Sequence, residues 1–380
     1  MKDLFYGSLF MLLYIYLGYP ALVWLIGAIR NQKIEKGDYL PEVTIIIAAY
    51  NEEKSIEETL RNKLSLNYPK EKLEIIVVSD SSYDRTDAIV KDFEQKGIRL
   101  LRQEPRLGKT AALNLAVPQA KGGIIIFSDG NSIYEPDSIQ KLVRNFYDPT
   151  VGYATGKMIY TNLDGTVVGD GCTAYMRYEN FLRKNETKVG SIVGVDGAID
   201  AVRKELYQPM ERDQLPDFVL PLKVIGQGFR VVYEPEAIVK EASLKTSKDE
   251  YKMRVRVSLR ALWALSDLKH LLSFKKYKIF AWQILSHKWL RYLGFLFLIG
   301  VYISNLSLLT QNQFFKIFFV LQNLIYVLAI WAFILENKGK QIGWLYLPFF
   351  FTLVNLSSAH AFVKLILGQK QVVWEPRKGS

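Results

Sequence analysis

Residues 124–132 read Ile124-Ile125-Ile126-Phe127-Ser128-Asp129-Gly130-Asn131-Ser132. A continuous apolar run of this length reads as a strand buried on both faces, the pattern of a parallel sheet. Asp129 stands where that strand emerges, and Gly130 and a second oxygen-bearing side chain, Asn131, follow it. Hard cations such as Mg²⁺ and Mn²⁺ take oxygen ligands, one or two from protein and the rest from water or substrate phosphates. Open α/β sheets bind their ligands at this carboxyl end of the strands.

The flanking chain repeats the pattern. Val43 to Ala49 reads as a strand and Glu52 to Lys63 as a charged helix. Leu73 to Val78 is a second strand, ending in Ser79-Asp80. Asp87 to Lys96 reads as a helix, Arg99 to Leu101 as a short strand, and Lys109 to Val117 as a helix leading into the opening run. Strands alternating with helices predict a parallel α/β sheet. Beyond it, Val151 to Tyr160 and Ile192 to Val202 read as strands joined by polar loops. Leu215 to Ile225 reads as a helix opened by Leu-Pro-Asp, and Arg230 to Tyr233 as a short strand. Asp217 at that helix start is placed well for the dipole. Asp80, Asp129 and Asp217 are thus three acids from distant points that can face one crevice, while Asp84 suits a turn cap.

The whole chain has 380 residues, 49% of them hydrophobic, and a net charge of +11. No Lys/Arg-rich tail is present and the basic residues gather beside apolar segments, which speaks for a membrane protein and against a nucleic-acid binder. The single Cys172 excludes an intrachain disulfide framework and a multi-cysteine zinc site. Residues 4–29 carry no charge, too long a run for a signal-peptide core, and read as a permanent anchor. Arg30, Lys33 and Lys36 follow it, which predicts a cytoplasmic location for the next domain.

From Tyr251, Met253, Arg256, Arg260 and Trp263 share one helical face, and residues 269–278 are basic and aromatic, as in headgroup-layer segments. Three further apolar spans are expected at Trp289 to Leu309, Phe314 to Leu335 and Ile342 to Leu367. Four crossings from an outside N-terminus would put the basic tail outside, so one C-terminal segment is expected to lie in the interface or re-enter. The expected organisation is an anchor (1–40), a soluble α/β domain (41–245), interfacial helices (246–288), a membrane region (289–368) and a tail (369–380).

Six segments occur in order: VTIIIAAYNEE (43–53), VVSDSSYDRT (77–86), GKTAALN (108–114), FSDGNS (127–132), GVDGAIDAVRKELY (194–207) and LPDFVLPLKVIGQGFRVVYEP (215–235). Together they resemble a family-two glycosyltransferase with a GT-A fold, of the membrane-bound cellulose-synthase-like branch. The tail motif Trp374-Glu375-Pro376-Arg377 resembles that branch too. The resemblance implies inverting sugar transfer from a nucleotide sugar, with UDP favoured, to a glycan or lipid-linked acceptor, with Mg²⁺ or Mn²⁺. It places Ala49, Tyr50, Asn51 and Glu52 at the nucleoside, Asp80 at the base and Lys109 near the nucleotide. Asp129 matches the first acid of the metal-binding DxD motif, Gly197 and Ala198 the acceptor loop, and Asp217 the general base. Arg256 and Arg260 are candidates for the diphosphate or for lipid phosphate. Arg254, Arg256 and Arg260 read equally well as a basic face against anionic lipid.

Three departures qualify the resemblance. Asn131 replaces the usual second acid, so metal affinity leans on the substrate's diphosphate. Pro216 replaces the acid before Asp217. Met253-Arg254-Val255-Arg256-Val257 keeps the arginine of the processive synthases' QxxRW motif without its glutamine and tryptophan. The expected protein is a multi-pass enzyme of the cell membrane with a cytoplasmic catalytic domain, working on envelope or exopolysaccharide glycan. A homo-oligomer or secretion partner stays open. A processive polysaccharide synthase is the first alternative, and an inactive subunit that binds nucleotide sugar or glycan is the second.

Overall fold

The computed structural model describes residues 1–161, 167–242, 246–338, 340 and 343–371. The tail motif at 374–377 lies outside them, as does the side chain of Cys172. Two compact units share the chain. One comprises Ile26–Thr161, Glu179–Ala242 and Gln371–Ser380, the other Met1–Leu25, Asn162–Tyr178 and Ser243–Lys370.

The first unit is built on an eight-stranded mixed sheet. Its strands are β1 (Val43–Ala49), β2 (Leu73–Asp80), β3 (Ile98–Gln103), β4 (Ile124–Asp129), β5 (Ile133–Tyr134), β6 (Val151–Tyr160), β7 (Ile199–Arg203) and β8 (Arg230–Glu241), in the order β3-β2-β1-β4-β7-β6-β8-β5. β1 pairs in parallel with both β2 and β4, and β2 with β3. Every residue of β1 is buried, which is why it reads as an unbroken apolar run. The register sets Ala48 beside Asp129 and Asp80 beside Gln103, so the acids emerge along one edge of the sheet. β7 runs antiparallel between β4 and β6, and this reversal makes the sheet mixed.

Two expectations change here. Only Ile199–Arg203 of the segment 192–202 is a strand. The residues before it form a loop, with Gly197 at a φ of +83°. The connection expected to be polar loop contains a 23-residue helix, Val167–Val189. Its later half buries Arg183, Asn185 and Glu186 beside Leu182. A buried face made of polar side chains defeats a reading by hydrophobic period.

Residues 31–42, between the first helix and β1, have no regular secondary structure. They are nonetheless fastened to the α/β unit. The Gln32 amide donates to the Lys188 carbonyl (2.9 Å), and the Arg230 guanidinium donates to the carbonyls of Lys33 and Gln32. Lys36 pairs with the buried Glu234 at 2.7 Å. The Tyr68 hydroxyl and the Lys72 ammonium donate to the Pro41 and Leu40 carbonyls.

Lys2–Arg30, which belongs to the second unit as far as Leu25, and Gln313–Asn337 and Gly343–Ile366 of that unit are long and apolar enough to cross a membrane. The span expected at Trp289 to Leu309 is different. It begins earlier and is broken, as Ile279–Tyr292 followed by Gly294–Leu308 with a 56° bend. A π-helical turn, Leu285–Trp289, and Gly294 flank the break, and both are recognised causes of kinks. Phe5 packs edge-on against Phe315 and Phe318, and Gly300 lets the first helix approach so closely that a Cβ there would sit 2.5 Å from the Ser8 hydroxyl.

Ile46, at the centre of β1, is fully buried. Ile46→Ala is expected to lower unfolding free energy by about 2–5 kcal/mol through lost burial and a cavity. An unchanged denaturation midpoint of the detergent-purified protein would remove Ile46 from the core.

Candidate active site

The site is built where β1, β2 and β4 end. β2 ends in Asp80, which is buried and accepts the amides of Leu107 (2.8 Å) and Gly108 (2.9 Å) and the Gln103 side-chain amide. Asp80 therefore anchors the turn that leads into the helix Lys109–Ala116. The Arg106 guanidinium lies 3.8 Å from Asp80 and 3.5 Å above the Tyr50 ring, and Tyr83 meets that ring edge-on. Asn51, at a φ of +54°, accepts the Tyr83 amide while its own amide donates to Ser82. Asp84 accepts the amide of Thr86, the first residue of the next helix, as expected of a cap. Ala49, Tyr50, Asn51 and Asp80 are thereby brought to one side of the site, with Arg106 added.

Glu52 is buried, and its side chain packs against Gly130, where a Cβ would come 2.9 Å from the Glu52 Cγ. Burial pushes the Glu52 carboxyl up to about 7, against the pull of the Ser55 hydroxyl bonded to it and with the nearby Asp129 adding to the rise. The turn after Asp129 is held from below by Lys63, whose ammonium donates to the Ser132 carbonyl and lies 3.5 Å over the Tyr134 ring.

Lys109 sits at the centre. Its Nζ is 2.7 Å from Asp129 Oδ1 and 3.4 Å from Asp217 Oδ1. Burial alone would lower the lysine's pKa. The two carboxylates outweigh it and hold the ammonium above its ordinary range. Asp217 enters from the first turn of the helix Pro216–Gly226. Gly197 presses on it from the other side, since a Cβ there would fall 2.4 Å from Asp217 Oδ2. Ala198 is buried and its carbonyl accepts the Tyr134 hydroxyl.

The loop that carries Gly197 is clamped by residues the sequence did not single out. Arg183 makes a two-pronged pair with Asp196 (2.5 and 2.6 Å) and donates to the Gly194 carbonyl, and Glu186 accepts the Val193 amide. Asp200 was also missed. It lies fully buried in β7, opposite Phe127 of β4 and Thr155 of β6. Burial first, and the neighbouring Asp217 second, raise its carboxyl from an ordinary 3.8 to about 7. The Thr155 and Tyr153 hydroxyls ease this rise, although among the described residues neither carboxyl oxygen has a hydrogen bond of good geometry. Arg256 and Arg260 lie on the helix Ser247–Asp267 of the other unit, with Arg260 buried.

Among the described residues no three His, Cys, Asp or Glu side chains gather to hold a metal ion. The accessible Asp129 carboxylate, with Asn131 two residues on, fits a hard cation that takes most of its ligands from a diphosphate and water, and not a full protein cage.

The sequence matches Glycosyl transferase family 2 over residues 44–208. It is 30% identical over 315 residues to "Probable glycosyltransferase YdaM" of Bacillus subtilis, covering 78% of this chain and 72% of that one. It is 27% identical to the poly-beta-1,6-N-acetyl-D-glucosamine synthase of Staphylococcus aureus over 73% of each. Among solved structures it resembles the mannosyltransferase PcManGT from Pyrobaculum calidifontis, in complex with GDP-Man and Mn²⁺. That likeness has a TM-score of 0.73 and 22% identity, covering 96% of this chain and 99% of that one.

Two outcomes follow from the geometry. Gly197→Ala drives a methyl into Asp217 at a positive φ, and is expected to destabilise by about 1–3 kcal/mol and to displace the Asp217 carboxylate. A melting temperature equal to the parent's would contradict this packing. The second concerns pH. The raised pKa of Asp200 means the folded protein binds more protons than the unfolded chain between about pH 4 and 7. Stability from this group is therefore lost as pH rises through that window. Asp200→Asn should melt higher than the parent at pH 8 and show little gain at pH 5. An equal difference at both pH values would clear Asp200 of the effect.

Proposed function

Because the chain belongs to glycosyl transferase family 2, we propose that it transfers a sugar, with inversion, from a nucleotide sugar to a glycan or lipid-linked acceptor at a membrane face. The observation that carries this reading is the triad Asp129–Lys109–Asp217, with Gly197 against Asp217. Asp217 takes the proton of the acceptor hydroxyl as that oxygen attacks the anomeric carbon. The bond from that carbon to the diphosphate oxygen breaks, and the nucleoside diphosphate leaves on the opposite face. Asp129 and Asn131 would hold Mg²⁺ or Mn²⁺, which when bound neutralises charge gathering on the leaving diphosphate. PcManGT, the GT-A neighbour, is described with Mn²⁺ and GDP-Man. Lys109 adds a fixed cation, and a donor diphosphate competes with both carboxylates for it. The Tyr50 ring, backed by Arg106, offers a face to the nucleobase, and UDP is the proposed nucleotide. Gly197 leaves room for sugar to approach the backbone beside the base.

A plasma-membrane protein with a cytoplasmic α/β unit fits the basic residues after the first helix. Re-entry of the bent pair Ile279–Tyr292 and Gly294–Leu308 would then return the basic tail to the same side. A second reading is favoured by the similarity, along most of both chains, to a poly-beta-1,6-N-acetyl-D-glucosamine synthase. In that reading the enzyme keeps its product and extends it. The length of product made by purified protein separates the two, since single additions support transfer and a ladder of long chains supports polymerisation.

Asp217→Asn should leave nucleotide binding intact and cut turnover by about 10²–10⁴-fold, the usual worth of a general base. Near-parental turnover would remove Asp217 from that role. Asp129→Asn should abolish the dependence of donor use on added Mg²⁺ or Mn²⁺, together with most activity. A screen of UDP-, GDP- and TDP-sugars, reading nucleotide release, tests the donor. No release with any donor would favour an inactive binding subunit.

A further inference from the structure

The membrane unit contains a cavity of about 80 Å³ lined by Tyr175, Arg254, Ser258, Lys288, Arg291 and Ser357, among others. A buried water needs roughly 10–15 Å³ of such space, so the cavity has room for a phosphate-sized group. Among its described lining residues are three basic side chains, Arg254, Lys288 and Arg291, and no carboxylate. Arg254 is paired with Glu250 of its own helix at 2.6 Å, which offsets part of that charge.

The arginines are held by aromatic faces. Arg254 stands 4.6 Å from the ring centres of both Tyr175 and Phe350, and Arg291 stands 5.3 Å from Tyr175 and 5.2 Å from Tyr178. One tyrosine ring thus orients two guanidinium groups. The five N–H donors of a guanidinium form a planar fork that suits phosphate oxygens. Lys288 comes from the π-helical turn Leu285–Trp289, a distortion that proteins keep chiefly at functional positions. Small hydroxyls, the buried Ser258 and Ser357, complete the wall. Lys288 and Arg291 fall within the first half of the bent apolar pair, Ile279–Tyr292, where an ionisable side chain points to a function. Basic pockets between membrane helices are a known form of headgroup site.

We propose that this cavity binds the phosphate group of an anionic lipid, through Arg254, Lys288 and Arg291. The chemistry accepts a phosphodiester or a phosphomonoester, and the source is separated by experiment. Binding is independent of the transfer reaction and is measured without donor.

Full-length protein would be placed in nanodiscs of phosphatidylcholine alone, of phosphatidylcholine with phosphatidylglycerol, and of phosphatidylcholine with a polyprenyl monophosphate. A fourth sample in lipid-free detergent would receive inorganic phosphate. Native mass spectrometry reads what stays bound. Retention of phosphatidylglycerol assigns a diester, and retention of the polyprenyl phosphate a monoester. Either is expected to fall about tenfold in Arg291→Gln, as for loss of one charge-assisted contact, and to recover in part in Arg291→Lys. Lys288→Gln carries the same expectation should Arg291→Gln not fold. The proposal is overturned by retention no greater than in phosphatidylcholine alone, by equal retention in parent and variants, or by binding of inorganic phosphate with neither lipid retained.

Discussion

The α/β unit turns on one ammonium shared by two carboxylates. Lys109 rises from the start of a helix, Asp129 from the end of β4 and Asp217 from the start of a later helix, Pro216–Gly226. Asp200 adds a third carboxyl beneath them. Unit charges of like sign 4 Å apart repel by about 4 kcal/mol at an effective dielectric of 20. A lysine in their midst, itself buried, is what lets the acids be gathered at all. The parallel pairing of β1 with β2 and β4 supplies the common edge. The turn anchored by Asp80 supplies the lysine. Each of these is needed to place the two carboxylates to which the proposed transfer chemistry is assigned.

Much of this was legible because strand ends are abrupt in sequence. The runs before Asp80 and Asp129 are apolar to the last residues and then become polar, so both the parallel sheet and its edge could be read directly. Asp217 was legible from its place after Leu215-Pro216. What escaped were polar groups buried where pattern reading expects apolar ones. Asp200 hides in Ala198-Ile199-Asp200-Ala201-Val202, where its neighbours announce an ordinary core strand. Arg183 and Glu186 lie on a helix whose inner face is charged, so its period was invisible and the segment read as loop. Gly197 was named as a place of close approach, but its partner, Asp217, is set by tertiary structure and has no local signature.

The second unit follows a different logic. Its helices were countable from composition, since apolar length is a direct demand of the bilayer. The bend at Leu293 was not, because a π-helical turn carries no residue signature. Its chemistry also differs from that of the α/β unit. There acids gather round a lysine, whereas here Arg254 and Arg291 lie against ring faces and Arg254 pairs with Glu250.

The stretch from 31 to 42 looks like a tether, since it has no helix or strand. Its carbonyls at Gln32, Lys33, Leu40 and Pro41 are all accepting bonds from the α/β unit, and Lys36 is locked on buried Glu234. A protease ordinarily enters where backbone is unbonded and can be drawn into an extended, accessible form. This segment is exposed along most of its length but is held at both ends, at Gln32–Lys33 and Leu40–Pro41. Irregular backbone here marks a strap, and its stiffness is borrowed from the surface to which it is laced.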